Sequence, residues 1–338
     1  MRVSQSLADI ISGMPASVIQ EKLPYWTHEE LAEYDSKQDK TGYHVLAGLS
    51  HVSIPSARWS MESLQLRDSC GSTPLHVLAS HGKAGALEAK FLTEKNLFAE
   101  NEDGFTPYHW MVKTGQFARI PKEFQTLPDL LRPAKNGVTP LHMAARYSYL
   151  YTIPESLGFK KQSILETPTE DGLTVFHYIA MGGDWSGLPA SVKTLKNFMK
   201  PDKEGVTSLH YAAEHKNLRT IPLEFITQST VTWCAIKTQW SALHSAAADG
   251  SLQDIPPALL TPANLVIEDK TGATPIGLAI ANDNLEQIPI FGTEAIAPLP
   301  PEEREAWINL CKRFKLPLPE ILTEKWNHVH SAGDWQHL

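Results

Sequence analysis

Histidine is the residue with the widest chemical range in this chain, and it occurs fourteen times. An imidazole can ligate a metal or carry a proton near neutral pH, so spacing decides what such a set can do. Seven of them (His44, His76, His109, His142, His177, His210 and His244) follow one another at intervals of 32 to 35 residues. Zinc needs about four ligands converging on one point, and histidines on such separate segments do not converge. Their regularity points instead to one structural slot used repeatedly. His328, His330 and His337 flank Asp334 near the C-terminus. No frame of four anchored ligands accompanies them, so they read as a polar terminal segment. Cys70, Cys234 and Cys311 are isolated, with no CxxC pair, which leaves no disulfide framework and favours a reducing compartment. The GxGxxG and GxxxxGKS/T phosphate loops, the GxSxG elbow and the HExxH helix are all missing. Glu302-Glu303 fits a solvated helix start, where the dipole favours negative charge. The expectation is a non-enzymatic protein with no catalytic residues, no metal and no cofactor.

The elements that carry the seven histidines share a pattern. Thr73-Pro74-Leu75-His76 recurs as Thr106-Pro107-Tyr108-His109 and Thr139-Pro140-Leu141-His142. It continues as Thr174-Val175-Phe176-His177, Thr207-Ser208-Leu209-His210, Ser241-Ala242-Leu243-His244 and Thr274-Pro275-Ile276-Gly277. A glycine precedes most copies (Gly71, Gly104, Gly137, Gly172, Gly205, Gly272), and small pairs such as Ala144-Ala145, Ala212-Ala213 and Ala246-Ala247 follow. Glycine accepts the positive φ of a tight turn. Threonine or serine caps a helix, and proline suits its first turn. The histidine is expected to bond across the turn to the threonine and to backbone. Gly42-Tyr43-His44 begins a weaker, earlier copy without the Thr-Pro pair.

This GxTPLHxAA signature and its period of about 33 residues resemble the ankyrin repeat. The resemblance implies an all-α fold, an open ankyrin-repeat solenoid of helix-turn-helix units with hairpin-like turns and helical caps. On that reading residues 1–40 form an N-terminal helical cap, 41–292 a stack of about seven to eight repeats, and 293–338 a C-terminal helical cap and tail. The second half of each repeat departs from the family. An apolar-Pro step recurs at Ile54-Pro55, Ile120-Pro121, Ile153-Pro154, Leu188-Pro189, Ile221-Pro222, Ile255-Pro256 and Ile288-Pro289, and only Leu87-Glu88 lacks it. Proline cannot sit inside a helix and biases its predecessor to extended backbone. Two short helical pieces are therefore expected there, the later one capped by residues such as Thr93, Thr126, Thr194, Thr227 or Thr261. Past Pro298, Pro300 and Pro301, the stretch from Glu302 to Phe314 reads as an amphipathic helix with Trp307, Leu310, Cys311 and Phe314 on one face.

Lys plus Arg number 30 against 38 Asp plus Glu, a formal charge of −8. That balance argues against nucleic acid or an anionic membrane, which want a cationic surface. No apolar run approaches the roughly 20 residues of a membrane span. Asp9 interrupts the short apolar stretch near the start and no small-residue cleavage site follows, so a cytoplasmic monomer, or one exported without a cleavable signal peptide, is expected. The resemblance implies a protein partner held on a concave face. The residue before each Thr/Ser would lie there, giving Phe105, Val138, Leu173, Val206 and Trp240 in successive repeats, beside Arg146, Tyr147, Glu214, His215 and Asp249. Large aromatics make the best anchors, which singles out Phe105 and Trp240. The alternative is a secreted or injected effector, or an enzyme-associated protein, whose flanks carry an activity; about forty residues per flank is small for a catalytic domain.

Overall fold

The structure is a computed structural model that describes residues 6–36, 39–50, 52, 54–292 and 299–322. Its contacts divide into two units, Met1–Ile179 with Ser186–Pro189, and Ala180–Trp185 with Ala190–Leu338. Both are helical, and the described strands are one ribbon, Tyr34–Asp35 antiparallel to Lys40–Thr41. None of the described helices is long and apolar enough to cross a membrane. His328, His330, His337 and Asp334 lie outside the described residues.

In the first unit the helices Leu7–Ser12, Ala16–Lys22 and His28–Ala32 come first. Ser6 and Thr27 cap two of these through hydroxyls that accept the amides of Asp9 and Glu30. Four seven-residue helices follow, Gly42–Gly48, Pro74–Ser80, Pro107–Lys113 and Pro140–Arg146, each packed on the next. Their register comes from the sequence: Thr41, Thr73, Thr106 and Thr139 are extended N-caps, and proline occupies the first helical position in the last three. Leu75, Leu141, Ala144 and Ala145 are fully buried, so small side chains allow the close approach of neighbouring helices. The second unit repeats the arrangement with Ser208–Glu214, Ala242–Asp249 and Pro275–Ala281, stacked in that order.

The turn before each helix is left-handed two residues upstream of the cap. Gly71, Gly104, Gly137, Gly172, Gly205 and Gly272 all have positive φ. Adjacent turns are joined through backbone. In the first unit Glu102 N–H donates to the Cys70 carbonyl (2.9 Å), Lys135 N–H to Asp103 (3.0 Å) and Glu170 N–H to Asn136 (3.0 Å). In the second, Ile236 N–H donates to Glu204 (2.9 Å) and Lys270 N–H to Thr238 (3.1 Å).

In the six repeats from Pro74–Ser80 to Ala242–Asp249 the second half contains three short pieces where two were expected. A 3-10 turn ahead of the proline, such as Phe117–Arg119 or Leu252–Asp254, is the addition. A second 3-10 turn starts after the proline, as in Lys122–Phe124 and Pro257–Leu259, and a single α-turn ends the repeat, as in Leu127–Leu130 and Pro262–Leu265. Thr126, Thr194 and Thr261 cap those last turns through their hydroxyls. Near the C-terminus Pro301–Phe314 is one continuous helix, with Trp307, Leu310 and Cys311 buried, Phe314 half-buried and the Trp307 ring edge-on to Phe291 at 6.0 Å.

Candidate partner-binding surface

The repeated histidines are structural in both units. In the first, the Thr73 amide donates to His76 Nδ1 (2.9 Å), with the Thr73 hydroxyl also 2.9 Å from that nitrogen. An amide can only donate, so Nδ1 is the acceptor and the ring proton sits on Nε2. Nε2 donates to the Phe105 carbonyl of the next repeat (3.0 Å). His44 reaches Ser72 (3.0 Å) and His142 reaches Thr167 (3.2 Å) in the same way. In the second unit His210 reaches the carbonyls of Trp233 (3.0 Å) and Trp240 (3.1 Å), and His244 reaches Ala273 (3.2 Å). Burial disfavours the imidazolium and pushes His76, His109, His142 and His210 down to about 4, with His44 and His244 also lowered. His44, His76, His142, His210 and His244 are thus spent on joining repeats, whereas His109 keeps the Thr106 bond but leaves its buried Nε2 without a hydrogen-bond partner. Among the described residues no group of three His, Cys, Asp or Glu is placed to hold a metal ion. The three cysteines are free thiols, Cys70 exposed and Cys311 buried.

The expected contact residues fall into different environments. In the first unit Phe105 is half-buried, its ring edge-on to His109 (5.5 Å) and tilted against Trp110 (5.7 Å). Trp110 in turn faces the Lys113 ammonium at 4.6 Å from its ring centre, and the same ammonium lies 4.7 Å from the ring of Tyr147. Tyr147 is 42% exposed. Phe105, Trp110, Lys113 and Tyr147 thus form one connected aromatic strip around a cation, drawn from two adjacent repeats. Leu173 is half-buried, its amide held by the Thr169 hydroxyl at 3.1 Å. Arg146 is half-buried near Tyr178, where its charge opposes the rise that burial imposes on the phenol.

Val138 does not belong to an exposed row. It is 6% exposed. Its carbonyl accepts the Ala134 amide (2.8 Å) and its own amide donates to Asn136 Oδ1 (3.1 Å), so the backbone at both ends is tied into the turn and the small side chain is carried inward with it.

In the second unit Val206 and Asp249 are half-buried, while Glu214 and His215 are exposed. Tyr211 donates its hydroxyl to Asp202 Oδ2 (2.8 Å). Burial, that hydrogen bond and the Asp202, Glu214 and Glu204 carboxylates together raise its pKa well above the usual phenol range. Trp240 is half-buried; its indole donates to Ser245 Oγ (2.9 Å) and its ring lies 5.4 Å from that of His244. Trp240 is therefore partly a support for the histidine joint, and removing it disturbs the fold as well as the surface.

Sequence reasoning missed Trp110 and Lys113. Both were detectable. Trp110 stands four residues after its cap threonine, the slot that also holds Tyr178 and Tyr211, and Lys113 stands in the slot of Arg146 and Glu214. On a helix those two slots, three residues apart, share a face; sequence reasoning drew Arg146 and Glu214 from it but passed over Trp110 and Lys113, because the repeat signature is silent there. Each unit also has a cleft, of about 250 Å³ between Val52, Trp59, Leu78 and Leu87 in the first and about 390 Å³ between Ile255, Leu260, Gln287 and Phe291 in the second. Neither brings together an acid, a base and a nucleophile. No family model matches the chain, and a comparison with curated proteins finds no match either.

Proposed function

We propose that this is an ankyrin-type repeat protein, an open solenoid whose work is non-catalytic recognition of a partner protein on its concave face. The repeats of about 33 residues support the architecture, as do the left-handed glycine before six of the capped helices and the histidine that bonds one repeat to the next in most repeats. The observation that carries the function is the strip Phe105, Trp110, Lys113 and Tyr147. Large aromatics left accessible and held rigidly by their neighbours are what interface hot spots are made of. Rigidity helps affinity, because a preorganised surface loses little entropy on binding. A monomer working in the cytoplasm fits this reading.

The test is affinity capture by the full chain, compared with a Trp110→Ala/Tyr147→Ala variant of unchanged circular dichroism. Removing two anchors should weaken the genuine partner by about 2 kcal/mol or more, roughly thirtyfold. That partner should fall out of the variant's catch. Equal recovery of every captured protein by the two would remove the strip from the account.

A further inference from the structure

The strip has a charge as well as a shape. The first helices of the first unit, Gly42–Gly48, Pro74–Ser80, Pro107–Lys113 and Pro140–Arg146, carry no Asp or Glu, and two successive ones end in a cation, Lys113 and Arg146. The chain as a whole is at −8, so this face runs against the molecule's balance. Lys113 is the informative residue. Its ammonium is held by the rings of Trp110 and Tyr147 (4.6 and 4.7 Å) and meets no carboxylate within ion-pair distance among the described residues. Two aromatic faces fix the ammonium without neutralising it, because a ring quadrupole attracts a cation but supplies no opposite charge. A fixed, uncompensated cation bordered by apolar rings suits a carboxylate next to an apolar side chain. A cationic partner would meet repulsion there.

We propose that this strip docks an acidic peptide segment of the partner, one carboxylate seated on the Lys113 ammonium and an adjacent aromatic or aliphatic side chain lying over Phe105 and Trp110. The inference rests on the partner-binding reading and adds the chemistry of the partner. The ordered ammonium gains a charge-assisted hydrogen bond while its side chain loses little further freedom.

Selection of random twelve-residue peptides on the immobilised full chain tests it, followed by fluorescence anisotropy with the best synthetic peptide. The selected sequences should be rich in Asp or Glu beside Trp, Phe or Leu. Affinity should fall at least tenfold in Lys113→Glu, less in Lys113→Met, and should weaken as salt rises from low to physiological concentration. Thermal unfolding of both variants at the wild-type temperature guards against misfolding. Selected peptides without an acidic excess, or equal affinity for wild type and Lys113→Glu, overturn the acidic-partner inference. If such peptides still lose affinity on Trp110→Ala, partner binding at the strip stands; if no selected peptide distinguishes wild type from Trp110→Ala, that reading falls too.

Discussion

Gln239 occupies the left-handed turn position that six other repeats give to glycine, with φ of 57°. Asp39 does the same ahead of Thr41, with φ of 52°. An L-residue in this region costs roughly 1–2 kcal/mol relative to ordinary backbone, yet the turn keeps its shape because the Ala235 carbonyl accepts the Gln239 amide (2.9 Å) and Ala235 N–H donates to Trp240 (2.9 Å). Gln239→Gly should therefore stabilise the protein by about 0.5–1 kcal/mol in urea unfolding, the relief of strain being partly offset by a more flexible unfolded chain. The mirror experiment is Gly205→Ala. A Cβ there would lie 2.6 Å from the Ile236 amide nitrogen at a φ of 85°, and a loss of about 2 kcal/mol or more is expected. Equal stability of Gln239→Gly and wild type would show that the turn is not strained. At this scale the sequence was informative wherever a residue type has one geometric use: glycine before the cap, threonine at it, histidine three residues later. It was less direct at Trp110 and Lys113, whose slots recur in register but hold different residue types from repeat to repeat, so only their position marks them.

Proline in the second half of each repeat announced short helical pieces, and the structure shows how they are joined. In four repeats the third residue of the closing α-turn donates to a carbonyl five residues back. Asn96 reaches Phe91 (2.9 Å), Asn197 reaches Val192 (2.6 Å), Thr230 reaches Phe225 (2.8 Å) and Asn264 reaches Leu259 (2.7 Å). Each bond spans the junction between two turns too short to hold themselves, since an isolated helical turn fixes more dihedrals than its hydrogen bonds repay. Asn264 also exchanges two bonds with Gln228 of the preceding repeat, at 2.5 and 2.8 Å. Asn264→Ala should cost about 2 kcal/mol, because buried amide partners are left unsatisfied. Asn264→Thr should cost less, about 1 kcal/mol, because Thr230 shows that a hydroxyl makes the same backward bond. Chemical denaturation of the two variants compares them directly; equal losses would mean that the Leu259 bond contributes nothing. The capping threonines of these turns were readable from spacing. The bridging side chains were not, because their slot, three residues after the cap, holds Asn in some repeats, Thr230 in another and Asp129 in a third, so no single residue type marks it.

Across the whole chain the histidine joints turn a local bond into a collective response to acid. His76, His109, His142 and His210 titrate near 4 in the folded protein, against an ordinary value of about 6.5. Between those values the unfolded chain binds protons that the folded chain refuses, so stability rises with pH there and is lost as pH falls from about 6.5 toward 4. Each group contributes up to about 1.4 kcal/mol per pH unit, and about 3 kcal/mol over its full shift. Several such groups in one unit steepen the slope together near pH 5, where most unperturbed carboxylates are still ionised. The urea midpoint should therefore drop steeply between pH 6 and 5. A single substitution separates this from general acid effects. Glutamine can replace His76 in the capping box, its side-chain oxygen accepting the Thr73 amide, but it does not titrate. His76→Gln should lower stability at pH 7.5 by about 1 kcal/mol, through the shorter reach to Phe105, and reduce the acid slope by about 1 kcal/mol per pH unit. The variant should then lose its disadvantage as pH falls and cross the wild-type curve below about pH 6. An acid slope unchanged by the glutamine would place the pH sensitivity elsewhere and leave His76 as a joint without a titration.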